Sequence, residues 1–303
     1  MKEFKLIGKE IVQQIVDFIA QYAGKLKKEG AVIGISGGID SAVIAAVAKE
    51  AIGKDNLTLV HISERDTPKA NKINAQIIAD FIGVPLKKKN ITASLLNLGV
   101  YNLQSVLGFF VPENAKVKYA KKRFNEINKE KQAYLNHISG KGNEQYRKDI
   151  AYYETKARFI TVVLYVYANL ENKIVIDTSN KTELSIGHCI RYGEVGDIMP
   201  LGDLYKTEVI ELAKYMGVPE QILNKPPSPD IIPGITDELA IGLPYKKVDQ
   251  ILLCLENKLH EKEIAKELKI DEREIQYIKK LCESAKFYAD IPVKLKLKYG
   301  KQI

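Results

Sequence analysis

Apolar residues at Ile11, Ile15, Phe18, Ile19 and Tyr22 recur every three or four positions, which predicts an amphipathic helix within the first 30 residues. The next apolar run, Ala31-Val32-Ile33-Gly34-Ile35, is short and continuous, as expected of a buried strand. Beyond it, Ala42-Val43-Ile44-Ala45-Ala46-Val47-Ala48 is too long and too alanine-rich for a strand and predicts a buried helix stopped at Gly53. Leu57 to Ile62 predicts a second strand. Thr67-Pro68 then reads as an N-cap with proline at the first helical position, opening a helix that runs to Phe81-Ile82-Gly83. A third strand is expected from Val84 to Lys87, and a helix from about Ile150 to Leu170. A fourth strand follows at Lys173 to Asp177, ending at Thr178-Ser179-Asn180. Strands and helices alternating over short connections imply an α/β fold, a parallel sheet flanked by helices. Parallel strands put their C-terminal ends on one edge, where such sheets bind ligands. The glycine-rich, polar stretch Gly187 to Gly202 is expected to form a mobile loop over that edge.

Composition narrows the class. With 303 residues, 46% of them hydrophobic, the chain can build one full domain, 1–303. Residues 100–150 are expected as a helical, basic insertion and 245–290 as a helical C-terminal region. No apolar run approaches the roughly 18 to 20 residues needed to span a bilayer, and the N-terminus lacks the pattern of a signal peptide. Cys189, Cys254 and Cys282 are scattered and form no C-x-x-C pair, which fits a reducing, cytoplasmic setting. The net charge of +8 is uneven: residues 114–150 carry ten basic and four acidic side chains, and residues 291–303 four lysines and no acid. Such a surface suits anionic ligands, nucleotides among them.

The chemistry concentrates in Gly34-Ile35-Ser36-Gly37-Gly38-Ile39-Asp40-Ser41, between a predicted strand and a predicted helix. Paired glycines let the backbone turn tightly and let a ligand approach closely. Successive N–H groups and the helix N-terminus then form an anion site, to which Ser36 and Ser41 add hydroxyls. A Walker A loop needs lysine where Asp40 stands. An acid inside a phosphate cradle requires a bridging cation, so Asp40 reads as a Mg²⁺ ligand, with ATP as co-substrate.

Ser-Gly-Gly-x-Asp-Ser resembles the pyrophosphate loop of N-type ATP pyrophosphatases, which have a Rossmann-like sheet and transfer AMP to an oxygen. Further motifs occur in order: Lys156-Ala157-Arg158, Thr178-Ser179-Asn180-Lys181-Thr182-Glu183, Leu204-Tyr205-Lys206-Thr207-Glu208-Val209, Lys225-Pro226-Pro227-Ser228, Thr236-Asp237-Glu238 and Gly242-Leu243-Pro244-Tyr245. As a set they resemble the ammonia-dependent NAD synthetases over residues 8–62 and 150–255. The resemblance implies that residues 34–41, with Thr178, Lys206 and Ser228, bind ATP; that Asp40 and Glu183 hold Mg²⁺; and that Asp40 and Lys206 are catalytic. It places Arg158, Arg191, Asp197 and Lys286 at the deamido-NAD site. It also implies a homodimer and, because the chain starts directly at the synthetase helix, free ammonia or ammonia from a separate partner.

The acyl-substrate half departs from the family. The loop Gly187-His188-Cys189-Ile190-Arg191-Tyr192-Gly193-Glu194-Val195-Gly196-Asp197 is a residue short and lacks the aromatic pair. Only Lys286 matches the C-terminal His-Lys-Arg, and Ser63-Glu64-Arg65-Asp66 replaces Met-Pro after the second strand. A related adenylating ligase acting on another carboxylate therefore stands beside the main reading. An RNA-modifying enzyme that stacks bases on Tyr119, Tyr134, Tyr146, Tyr152 and Tyr153 is a more distant alternative. Residues 259–285 imitate a helix-turn-helix, a pattern that helices packed on the catalytic body also produce. His61, His137, His188 and His260 are too dispersed for a nucleophilic triad.

Overall fold

The computed structural model of the chain describes residues 3–104, 111–127, 133–193, 195–228 and 234–289; the basic residues 291–303 lie outside the described residues. The N-terminal half runs α1 (Lys9–Lys25), β1 (Ala31–Gly34), α2 (Ile39–Ile52), β2 (Leu57–Ser63), α3 (Lys69–Ile82), β3 (Leu86–Asn90) and α4 (Thr92–Asn97). Next come α5 (Glu113–Ile127), α6 (Ala133–Ile138), α7 (Glu144–Leu170) and β4 (Ile174–Ile176). The C-terminal part holds α8 (Lys181–Ile186), α9 (Lys206–Tyr215), α10 (Glu220–Leu223), α11 (Asp237–Ile241), α12 (Tyr245–Glu256), α13 (Glu261–Leu268) and α14 (Glu272–Ala289). Among the described residues the strands form one sheet in the order β3-β2-β1-β4, and every neighbouring pair is parallel.

Alternation within the strands splits the core into two layers. Ala31, Ile33, Leu57, Leu59, Ile174 and Ile176 face α1, α2, α3 and α9 in the largest apolar cluster. Val32, Val60 and Val175 point the other way, onto Leu164 and Ala168 of α7. Burial on both faces explains why these strands are continuously apolar. A separate cluster joins α6, α8 and α11 to α14, with Ile264, Ile275, Ile278 and Leu281 fully buried. The segment that imitates a helix-turn-helix thus spends its apolar residues on this packing.

Several boundaries moved. The third strand lies at Leu86–Asn90, not Val84 to Lys87. Gly83 closes α3 in the left-handed region (φ 76°), and Val84 is consumed by the turn. The strand that follows is a lysine-rich, largely exposed edge, blunted against pairing with another chain and therefore invisible as an apolar run. Helix α3 begins at Lys69 with Pro68 at the cap, and Thr67 Oγ1 instead accepts from the Glu64 N–H at 2.9 Å. Helix α7 starts at Glu144 rather than near Ile150, because the Asn143 side chain caps it by accepting from the Tyr146 N–H.

Candidate active site

The strand-to-helix turn after β1 is built by close packing. Gly37 has φ +88°, and a Cβ there would stand 2.7 Å from the Asn71 carbonyl oxygen and 3.0 Å from Asn74 Cβ, so only glycine fits. Gly38 N–H donates to Ser36 Oγ (3.1 Å), and Ser41 Oγ donates to the Gly38 carbonyl (2.9 Å). No side chain caps α2, so its positive end faces the space above the turn.

Asp40 lies in the first turn of α2 and Glu183 in the first turn of α8, each at the C-terminal edge of the sheet. Asn180, fully buried, ties them together. Its side-chain oxygen accepts from the Glu183 N–H (3.1 Å), its own N–H donates to Glu183 Oε2 (3.1 Å), and its Nδ2 donates to Asp40 Oδ1 (3.1 Å). Lys206, at the start of α9 and only 2% exposed, places Nζ 2.5 Å from Asp40 Oδ2 and 3.3 Å from Glu183 Oε1. Asp249, also fully buried, holds α8 and α9 in register by accepting from Thr182 Oγ1 (2.5 Å) and the Thr207 N–H (2.8 Å). The Lys206 N–H in turn donates to Thr182 Oγ1 (2.8 Å).

Burial pushes the Glu183 carboxyl above its ordinary range; Lys206 opposes this and Asp40 reinforces it. Burial alone would lower Lys206, but Asp40 and Glu183 outweigh it and hold the ammonium above the usual lysine range. Two carboxyl groups thus converge on one ammonium. Among the described residues no group of three or more His, Cys, Asp or Glu converges as a metal site. Two carboxylates beside a phosphate turn nonetheless suit Mg²⁺, which takes one or two carboxylates and fills its shell with water and phosphate oxygens.

A cavity of about 1050 Å³ opens above these groups. Its floor includes Gly34, Ile35, Ser36, Gly38, Ile39, Asp40 and Ser41, and its walls include Thr178, Glu183, Lys206 and Ser228. Val60, Ile62, Ile160 and Leu164 are among its lining residues and give it an apolar part, of a kind that takes a base. Lys116, Tyr119 and Phe124 of α5 and Tyr134 of α6 also line it, so part of the basic segment borders the cavity. Tyr152 is buried and donates to Asp66, and Tyr134 is buried beside His188. These two rings are committed to the body of the protein rather than displayed for base stacking.

The NAD synthase family model matches residues 11–116 and 113–292, which cover most of the chain. The chain belongs to the NAD synthase family. An NH(3)-dependent NAD(+) synthetase of Thermotoga neapolitana is 38% identical over 283 residues, 93% of this chain and 94% of that protein. One from Methanocaldococcus jannaschii is 32% identical over 93% of this chain and 95% of its own length. Two solved structures share the fold. One is an NMN synthetase of Francisella tularensis (TM-score 0.70, 23% identity, covering 97% of this chain and 99% of that one). The other is an NH3-dependent NAD synthetase of Campylobacter jejuni (TM-score 0.69, 24% identity, covering 96% and 100%).

In this NAD synthase chain the residues assigned from the resemblance fall into two groups. Those assigned to ATP and metal gather at the cavity, with Gly37 packed behind the turn. Arg158, Arg191, Asp197 and Lys286 do not line it. Arg158 Nε donates to the Arg191 carbonyl (3.0 Å) and its Nη2 pairs with Glu154 Oε2 (2.6 Å). Asp197 accepts from the Val175 N–H (2.8 Å) and from Tyr165 OH (3.1 Å), pinning the 187–202 loop to β4. Lys286 is exposed on α14, next to Ala285, which packs against Gly187.

Three groupings escaped the sequence reading. Asn180 followed by Glu183 is a capping-box signature, a signal that was present and unused. His188 lies 3.2 Å from Asp237, whose other oxygen accepts from Tyr245 OH at 3.0 Å. Lys156, on α7, sits 3.2 Å from Glu64 and 2.9 Å from Asp66. Lys116 (2.8 Å) and Arg65 (3.0 Å) also pair with Asp66, and these cations, Lys156 foremost, hold its carboxyl far below the usual range against the effect of burial.

Proposed function

We propose that the chain is an ammonia-dependent NAD synthetase that adenylates the nicotinate carboxylate of deamido-NAD and amidates it. One observation carries this reading: the phosphate turn, Asp40, Glu183 and Lys206 meet at one cavity in a chain 38% identical to an NH(3)-dependent NAD(+) synthetase over 93% of its length. A carboxylate oxygen attacks the α phosphorus of ATP, and the bond to the bridging oxygen breaks. Pyrophosphate departs with that electron pair into the turn, where backbone N–H groups and the α2 N-terminus meet its charge. Ammonia then attacks the acyl carbon, loses a proton, and the carbon–oxygen bond to AMP breaks.

Asp40 and Glu183 would hold Mg²⁺, which when bound offsets the negative charge of the phosphates. Lys206 keeps the two acids close together and supplies a fixed positive charge at the α phosphorus. Thr178 and Ser228 bind ATP from the cavity walls. Arg158, Arg191, Asp197 and Lys286, grouped around the 187–202 loop, take the deamido-NAD.

The protein acts as a homodimer in the cytoplasm. An apolar stripe on α7, with Val162 57%, Val166 51% and Leu170 78% exposed, supports a second copy on that face. Pyrophosphate release from ATP, Mg²⁺ and ammonia, measured across a panel of carboxylic acids, tests the substrate. Release is expected with deamido-NAD; release with another acid alone would transfer the reading to a related adenylating ligase.

A further inference from the structure

At the end of β4 the cavity wall carries a carboxyl group that the proposed reaction does not use. Asp177 is only 4% exposed and lines the cavity. The Ser179 N–H donates to its Oδ1 (2.7 Å), and the Ser179 hydroxyl and the Gly196 N–H also donate to it. Among the described residues no cation pairs with it. Burial pushes the carboxyl above its ordinary range against those hydrogen bonds. A buried acid of this kind gains from further hydrogen-bond donors and repels phosphate. Its position is fixed: a Cβ on Gly196 would stand 2.5 Å from Asp177 N and 2.6 Å from the Val175 carbonyl oxygen.

Its place in the fold selects the ligand group. Ile33 of β1 pairs with Ile176 of β4, so Asp177 is level with Gly34, two residues before Ser36 of the turn. Val175 faces α7 and Ile176 the opposite layer, so alternation returns Asp177 to the α7 side. The α7 residue Tyr165 registers it there: burial, then Asp197 and Asp177, push its hydroxyl up to about 12. Gly34 puts no side chain beside Asp177, and a Cβ there would come 3.2 Å from Leu164 Cδ1. On the same side lies the apolar part of the cavity, with Val60, Ile160 and Leu164. A nucleotide with its base on that part and its phosphates at the turn has its sugar between them, at the level of Gly34 and Asp177. The 2′ and 3′ hydroxyls of a ribose are neighbouring donors, and one carboxylate can accept from both.

We infer that Asp177 reads the sugar of ATP: its carboxylate accepts from the ribose hydroxyls and makes the site select ribonucleotides over deoxyribonucleotides. The inference rests on the ATP-binding role proposed above and deepens it with a determinant of nucleotide choice. A carboxylate at a strand end meets a ribose hydroxyl in the same way in dinucleotide-binding parallel sheets.

Calorimetric titration of the full chain with ATP, 2′-deoxyATP and 3′-deoxyATP in Mg²⁺ buffer tests this. Wild type is expected to bind ATP roughly 10- to 100-fold more tightly than at least one deoxy analogue, the worth of a hydrogen bond to a charged group. Asp177→Ala should weaken ATP to the level of that analogue and leave the analogue within about threefold of its wild-type affinity. Asp177→Asn keeps an acceptor for the Ser179 N–H. It should melt at the wild-type temperature and narrow the ratio about five- to tenfold. A wild type that binds all three nucleotides within about threefold of one another would overturn the inference. So would variants that weaken all three in parallel, the signature of a wall that has lost its shape, or that keep the ratios and raise only the KM for ammonium. Selectivity for ATP that depends on Asp177, in a chain that releases no pyrophosphate, would uphold the inference and remove the proposed reaction.

Discussion

Replacing Asn180 separates two jobs that one buried side chain performs. As the N-cap of α8 it accepts from the Glu183 N–H, and through Nδ2 it donates to Asp40. Loss of an Asn cap costs about 1 kcal/mol, and loss of a hydrogen bond to a charged group about 1.5–3 kcal/mol. Asn180→Ala, which forfeits both, should lower stability by roughly 2–4 kcal/mol. Asn180→Ser keeps a capping oxygen but cannot reach Asp40, so it should recover about 1 kcal/mol of that stability. Its catalytic defect should remain, on the order of 10-fold or more in kcat/KM for ATP. Asn180→Asp also keeps the cap but sets a third carboxylate beside Asp40 and Glu183. Like charges about 4 Å apart cost about 4 kcal/mol at an effective dielectric of 20, so this variant should be the least active of the three. Urea unfolding gives the stability terms and pyrophosphate release the kinetic ones. Wild-type kcat/KM in both the Ser and the Asp variants would refute the idea that Asn180 positions Asp40.

Lys206→Met leaves two buried carboxylates without their ammonium. It should abolish turnover and cost about 3–5 kcal/mol, with part of the lost melting temperature regained on adding Mg²⁺; a melt indifferent to Mg²⁺ would contradict the metal assignment. His188 and Asp237 predict a pH dependence of stability. Burial lowers His188, but Asp237 raises it further, so its stabilisation is present below the unfolded value of 6.5 and is lost as pH climbs through the folded one. Asp237, which His188 depresses against burial, contributes above 3.8 and loses its contribution as pH falls through its folded value. His188→Gln should therefore flatten the alkaline decline of the melting temperature, and an unchanged slope would dismiss the pair. Val166→Asp, placed in the exposed α7 stripe, should convert a dimer to a monomer by light scattering; a dimeric mass would move the interface elsewhere.

Local signals made the catalytic edge readable. The β1 strand, the turn and α2 follow from apolar continuity broken by paired glycines, and Asp40 stands out as an acid where phosphate should bind. Elements whose stability comes from distant partners were hidden. The β3 lysines lie on an exposed edge and carry no apolar pattern. The grouping of Lys156 with Glu64 and Asp66 joins residues about 90 positions apart, and Asp249 reaches Thr182 across 67. Neither link has a spacing rule. The residues assigned to the acyl substrate were read only through resemblance, because an exposed arginine such as Arg191 carries no mark of a ligand.

In the proposed reaction a carboxylate oxygen takes the AMP of ATP at the turn. Oxygen-18 placed in the nicotinate carboxylate of deamido-NAD tests it directly, by mass spectrometry of the nucleotides after turnover with ammonia. Labelled AMP is expected in step with the NAD formed, with unlabelled pyrophosphate. Label in pyrophosphate or inorganic phosphate, or ADP as the nucleotide product, would place the attack at another phosphorus and contradict it.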